Sequence, residues 1–294
     1  MAPRQGAKTA QACPPKLADY PPGSWPTTIG MVVLIVWSWI STCVVQCLFL
    51  ATVGWMLPKH RRENYTGYIF RWFSRFVFLL HPSLGTPRLS PGSWRPTREM
   101  VQGKQGVLVV CNHRSFLDAF ALCSALLPLE TKYIAKGDLF SVPFGGWAMR
   151  MAGDLPVLFT KDKDGWGTQK GSTGKLLESA GANLTAGNSV AIFPEGVRMG
   201  VDPARAAAAG AHASRMGEFK PPFFDLAKKL GVPVVVAAMK GADDVWPVGS
   251  NMMRPAGVTL SLSEPIWGKD FATDADFAAA ARDKMGKMYA ELCK

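Results

Sequence analysis

No charged residue falls between Tyr20 and Leu57, and residues 29–57 are almost wholly apolar. A bilayer core of roughly 30 Å is crossed by about 20 helical residues, so this run is long enough to span with tilt, or to span and lie partly in the interface. It also exceeds the apolar core of a signal peptide, about 7–15 residues. Trp25, Trp37, Trp39 and Trp55 put rings near both ends, as in an aromatic belt. Cys43 and Cys47, one turn apart, read as packing rather than chemistry. Lys59-His60-Arg61-Arg62 follows at once, whereas the upstream side offers only Arg4, Lys8 and Lys16. The positive-inside bias therefore predicts a cytosolic downstream end, and the endoplasmic reticulum is the expected membrane. Residues 65–80 are again apolar, but Arg71 and Arg75 lie four apart, opposite Ile69, Phe73, Phe76 and Leu80. This predicts an interfacial amphipathic helix rather than a second span.

The rest of the chain has a different character. Residues 1–28 form a polar, proline-containing tail, 29–81 the membrane anchor, and 82–105 a flexible linker with four prolines. Residues 106–294 form the globular domain. Apolar residues make up 48% of the 294 and charged residues 19%, which excludes a long disordered chain. The net charge of +11 favours anionic partners. Because the basic residues are dispersed and no reader motif occurs, anionic head groups suit it better than nucleic acid. The six cysteines form no C-x-x-C pair or zinc-like spacing, so free thiols and no metal are expected.

Within the globular part, short β-rich runs at 106–111, 189–193, 232–238 and 257–263 alternate with helical stretches at 116–127, 223–230 and 274–293. Such alternation predicts an α/β domain with a largely parallel sheet. Residues 199–217, rich in alanine and glycine and without apolar periodicity, read as an insertion or a short exposed helix.

Polar residues cluster where strands end. In Asn112-His113-Arg114-Ser115-Phe116-Leu117-Asp118, positions five apart on one helix would be roughly 140° apart, keeping His113 from Asp118. If His113 precedes the helix and Asp118 sits in its first turn, the carboxylate can fold back and hold the imidazole as a base. The same residues also fit a helix-capping signature, with Asp118 placed favourably at a helix N-terminus. In Phe193-Pro194-Glu195-Gly196-Val197-Arg198, the glycine permits close backbone approach and Arg198 offers a fork of donors for a phosphate. Glu195 could fix that guanidinium or bind a hydroxyl, and a turn with a surface ion pair fits equally. Gly174-Lys175 lacks the phosphate-loop spacing, and no Gly-x-Ser-x-Gly elbow is present to serve a hydrolase.

Taken together, these blocks resemble the glycerolipid acyltransferases, and in their order the 1-acylglycerol-3-phosphate acyltransferases. Asn112-His113 with Asp118 is similar to the family's N-H-x-x-x-x-D signature, Phe193 to Arg198 to its F-P-E-G-T-R, and Val232-Pro233-Val234-Val235 to its V-P-[IV]-[IV] block. The resemblance covers residues 106–241 and implies an acyltransferase-type α/β domain behind a helical membrane anchor. It further implies transfer of a fatty acyl group from acyl-coenzyme A (acyl-CoA), or an acyl carrier protein, to the free hydroxyl of lysophosphatidate. His113 would be the base and Asp118 its orienting acid, while Glu195, Gly196 and Arg198 would bind the glycerol phosphate. No cofactor or covalent intermediate is implied. Val197 stands where the family has threonine, so Arg198 must do more. The family's arginine after Gly153 is missing, and Lys161, the first cation, takes its place as a phosphate ligand without a bidentate fork. Pro222 stands where a glycine is usual after Phe219-Lys220. Glycerol 3-phosphate or another lysophospholipid as acceptor, and a non-catalytic lipid-binding module, are the alternatives.

Overall fold

The computed structural model describes residues 20–162, 165–168, 171–196, 198 and 216–294, with backbone alone for residues 159–162 and 165–168. Most of the polar tail, Val197 and most of the Ala/Gly-rich insertion lie outside the described residues. Nine strands and nine α-helices are described. The strands are β1 (Arg88–Leu89), β2 (Leu108–Cys111), β3 (Thr131–Lys136), β4 (Leu155–Val157), β5 (Phe159–Asp162), β6 (Gly165–Thr168), β7 (Ser189–Ile192), β8 (Val234–Lys240) and β9 (Thr259–Leu262). Seven of them form one sheet in the order β1-β9-β8-β2-β7-β3-β4, parallel throughout except for the β8–β9 pair. The chain thus has the mixed, mostly parallel sheet that the alternation predicts. The other two, β5 and β6, form a separate antiparallel hairpin.

All four residues of β2 and of β7 are buried, because helices cover both faces of the sheet. Leu108 and Val110 point into a core with α6 (Ser172–Thr185), α7 (Pro222–Leu230) and α9 (Asp274–Leu292). Val109 and Cys111 point the other way, against α4 (Asp118–Leu126) and the N-terminal helices α1 (Trp25–Thr52) and α2 (Lys59–Leu80). Two short helices, α3 (Arg98–Val101) and α5 (Gly145–Met151), and the one-turn α8 (Ala242–Val245) complete the set.

Ser24 caps α1 by accepting from the Thr27 amide, and Pro26 occupies the first turn, where its missing N–H costs nothing. The helix is inverted in polarity. Thr27, Thr28, Ser38, Thr42 and Gln46 are buried, whereas Ile29, Val33, Val36, Val44 and Leu48 are exposed. Its polar side is hydrogen-bonded to the rest of the chain near both ends. The Ser24 amide donates to Met253 O at 2.8 Å, and the Met253 amide donates to Thr28 Oγ1 at 2.8 Å. Farther along, Gln46 Nε2 donates to Thr66 O at 2.8 Å and to Ala148 O at 3.3 Å. Between these points Gly145 lies under the Trp39 indole, so close that a Cβ would stand 2.6 Å from the ring. By length and composition α1 can cross a membrane.

Two expectations need correction. An interfacial helix at residues 65–80 would turn its arginines to water, but Arg71 is buried in α2 and pairs with Asp154 while also donating to Thr131 O at 3.0 Å. Arg75 donates to Ser124 O at 3.0 Å. The carboxylates of Glu130 and Asp154 draw the guanidinium inward, and Lys132 joins them with its ammonium 3.0 Å from Glu130. Trp72, Leu79 and Leu80 face outward instead. The second correction concerns residues 82–105, which are not a free linker. Arg88 and Leu89 pair with Thr259 and Leu260 as an edge strand, while Leu84 and Met100 are buried. Proline is tolerated at a sheet edge, so Pro87 and Pro91 flank a short strand rather than mark a mobile joint.

Candidate active site

The site is assembled at the C-terminal end of β2. There Asn112 stands in for a strand residue, its Nδ2 donating to Met239 O at 2.9 Å and its Oδ1 accepting from the Met239 amide at 2.7 Å. That clip fixes where the chain leaves the sheet, so His113 starts from a defined point. Asp118 opens α4, and its Oδ2 accepts from His113 Nδ1 at 2.7 Å, from the Arg114 amide at 2.5 Å and from the Ser115 amide at 2.8 Å. The chain between the two residues folds into a tight loop around one carboxylate oxygen. With the proton on Nδ1, His113 presents Nε2 as an acceptor, and its ring is partly exposed. An imidazole oriented by a buried carboxylate can take a proton from a hydroxyl.

The loop is braced from the opposite side. The Arg114 Nε donates to Asp243 Oδ2 at 2.8 Å, and Ser115 Oγ donates to Trp246 O at 2.8 Å. Sequence reasoning missed Arg114, Asp243 and Trp246 as supports, because 129 residues separate the first pair and no local pattern marks it.

The second predicted segment turns back onto the first. Phe193 stacks on the His113 imidazole with centroids 4.2 Å apart and planes at 18°. Glu195 is buried and spends both carboxylate oxygens on backbone, Oε1 on the His113 amide at 2.9 Å and Oε2 on the Gly217 amide at 2.8 Å. It therefore ties three segments together instead of opening toward an acceptor. Burial pushes its carboxyl up to about 7, against the opposing pull of the two amides. Gly196 has φ +73°, a backbone conformation that calls for glycine, and the Lys220 side chain passes close over its Cα. The Arg198 guanidinium lies 3.4 Å over the Phe116 ring, and its Nη1 is buried with no hydrogen-bond partner among the described residues. Lys161 lies on β5, away from the seven-stranded sheet in strand pairing, and its side chain is outside the described residues.

Residues 96–240 match the family model for acyltransferases. A chloroplastic 1-acyl-sn-glycerol-3-phosphate acyltransferase of Brassica napus is 32% identical over 160 residues, 54% of this chain and 40% of that protein. A 1-acyl-sn-glycerol-3-phosphate acyltransferase of Cocos nucifera is 27% identical over 252 residues, 84% of this chain and 71% of its own. The match thus spans about two fifths of the Brassica relative. The crystal structure of the 1-acyl-sn-glycerophosphate acyltransferase PlsC of Thermotoga maritima shares the fold, with a TM-score of 0.63 at 20% identity over 90% of this chain and 97% of that one. Two of the curated relatives are chloroplastic, which gives no support to residence in the endoplasmic reticulum.

Proposed function

Because the chain belongs, through residues 96–240, to the acyltransferase family, we propose that it is a membrane-bound 1-acylglycerol-3-phosphate acyltransferase. It uses acyl-CoA to esterify the free hydroxyl of lysophosphatidate and yields phosphatidate. The observation that carries the reading is the 2.7 Å hydrogen bond from His113 Nδ1 to Asp118, which leaves Nε2 as the base. In this mechanism the acceptor oxygen attacks the thioester carbonyl as Nε2 takes its proton. The tetrahedral adduct collapses by breaking the C–S bond, and the imidazolium returns the proton to the departing thiolate. A thioester is activated enough for direct attack, so no acyl-enzyme forms. Asp118 keeps the imidazole in the required tautomer and stabilises its charge in the transition state.

Arg198 binds the acceptor phosphate, with Lys161 as a further cation. Glu195 and Gly196 shape that subsite through the backbone they hold. Membrane attachment uses the outward aliphatic stripe of α1, which holds the domain at the bilayer where both lipid substrates reside.

The test is acyl transfer by the purified protein from a labelled long-chain acyl-CoA, with lysophosphatidate, glycerol 3-phosphate and lysophosphatidylcholine side by side and His113→Ala as the blank. Preference for lysophosphatidate that vanishes in the variant supports the reading. Preference for another acceptor keeps the chemistry and moves the substrate. Equal inactivity of folded wild type and variant on all three overturns it.

A further inference from the structure

Phe116 presents a problem of burial. It is 53% exposed although it directly follows the Ser115 that anchors the loop, and Leu117, Ala121 and Leu122 are buried in the core without it. A large aromatic ring left at the surface beside a reactive histidine contributes little to folding. What it does contact is specific. The Arg198 guanidinium carbon stands 3.4 Å from the centroid of the ring, and the Trp246 ring packs against the same phenyl at a centroid distance of 5.0 Å with the planes at 37°. Trp246 is itself held in register by the Ser115 hydroxyl on its carbonyl.

The two loops therefore exchange aromatic supports. The loop of residues 112–118 lends Phe116 to Arg198, and the turn of residues 193–198 lends Phe193 to His113. A guanidinium stacked by its face spends none of its N–H groups on the ring, and its edge carries the parallel N–H pair that matches two phosphate oxygens. Here Nη1 has no protein partner among the described residues. Stacking also removes rotamer freedom from a long side chain before a ligand arrives, which lowers the entropic cost of capture.

We propose that Phe116, backed by Trp246, is a positioning residue that holds the Arg198 guanidinium edge-on to the acceptor and so sets the preference for a phosphate monoester. The proposal rests on the reading of Arg198 as the phosphate ligand. Phe116 acts through Arg198 and not on the reacting atoms, so its loss belongs in acceptor binding.

The experiment compares wild type, Phe116→Leu, Phe116→Tyr, Arg198→Ala and the Phe116→Leu/Arg198→Ala double variant, each shown to be folded by its melting temperature. The KM for lysophosphatidate, the KM for acyl-CoA and kcat are measured for each. Phe116→Leu is expected to raise the lysophosphatidate KM about five- to tenfold, with donor KM and kcat changed less than about twofold. Phe116→Tyr, which keeps a ring face, restores the wild-type KM. The double variant is no worse than Arg198→Ala alone, because the shelf has nothing left to hold. Multiplying penalties in the double variant, a fall in kcat at unchanged KM, or a Tyr variant as poor as Leu would each overturn the shelf. If Arg198→Ala raises the KM while Phe116→Leu is silent, only the shelf falls. If Arg198→Ala leaves the KM unchanged, the phosphate reading falls and takes the shelf with it.

Discussion

His113→Ala removes a partly exposed imidazole that a buried carboxylate orients. It should lower turnover by about 10²–10⁴-fold, the usual share of a positioned base, while binding to lipid vesicles stays at the wild-type level. Asp118→Asn should also disrupt the loop, since its Oδ2 serves two backbone amides as well as the imidazole. Glu195 makes a prediction in pH. Its carboxyl is lifted from 4.5 to about 7, so the folded protein holds a proton that the unfolded chain has released. The stabilisation is complete below pH 4.5 and is lost as pH rises through 7, a swing of about 3 kcal/mol. Urea unfolding at pH 5 and pH 8 reads it directly, and Glu195→Gln should flatten the difference. An unchanged slope in that variant would assign the titration to another group.

At the level of elements, the fold is fixed by contacts that invert the usual polarity of a helix. Arg71, Lys132, Glu130 and Asp154 balance two positive against two negative charges under α2. Arg71→Ala would leave two carboxylates facing a single ammonium and should cost about 3–5 kcal/mol in thermal unfolding. Gly145→Ala pushes a methyl into the Trp39 ring and should cost about 1–3 kcal/mol by forcing α1 away from α5. These elements also show what could be read from sequence. The valine-rich runs of β2 and β8 and the periodic α9 were legible, because burial on both faces leaves continuous apolar runs and one-sided burial leaves a period. The Asn112 to Asp118 loop was legible too, since its partners lie within five residues. Illegible were β3, β4 and the placement of Arg71, whose environments are supplied by residues about 20–80 positions away. The same limit hid the work of Glu195: a glutamate beside an arginine suggests an ion pair, and only the arrival of the His113 and Gly217 amides turns it into a brace.

For the molecule as a whole, the outward stripe of α1 and the net charge of +11 act on the same surface in different ways. Replacing Val33 and Val44 together by serine should weaken partition into neutral vesicles about tenfold or more, with the melting temperature in detergent unchanged. Raising salt should weaken binding to anionic vesicles and leave neutral ones unaffected, which separates the aliphatic contribution from the ionic one. The stitching of α1 to the domain also sets an order of events during synthesis. Thr28 needs Met253, which is made 225 residues later, and Arg71 needs Thr131, made 60 residues later. At about 5–20 residues per second, the start of the α1–α2 helix pair is made roughly 10–45 s before its last partner exists. During that interval Thr28 lacks Met253, and until Thr131 is made Arg71 lacks its buried partners as well. A nascent chain of this design therefore depends on a membrane surface or a chaperone to shelter α1 and α2, and its yield in a membrane-free translation system should rise when vesicles are supplied from the start rather than after synthesis ends.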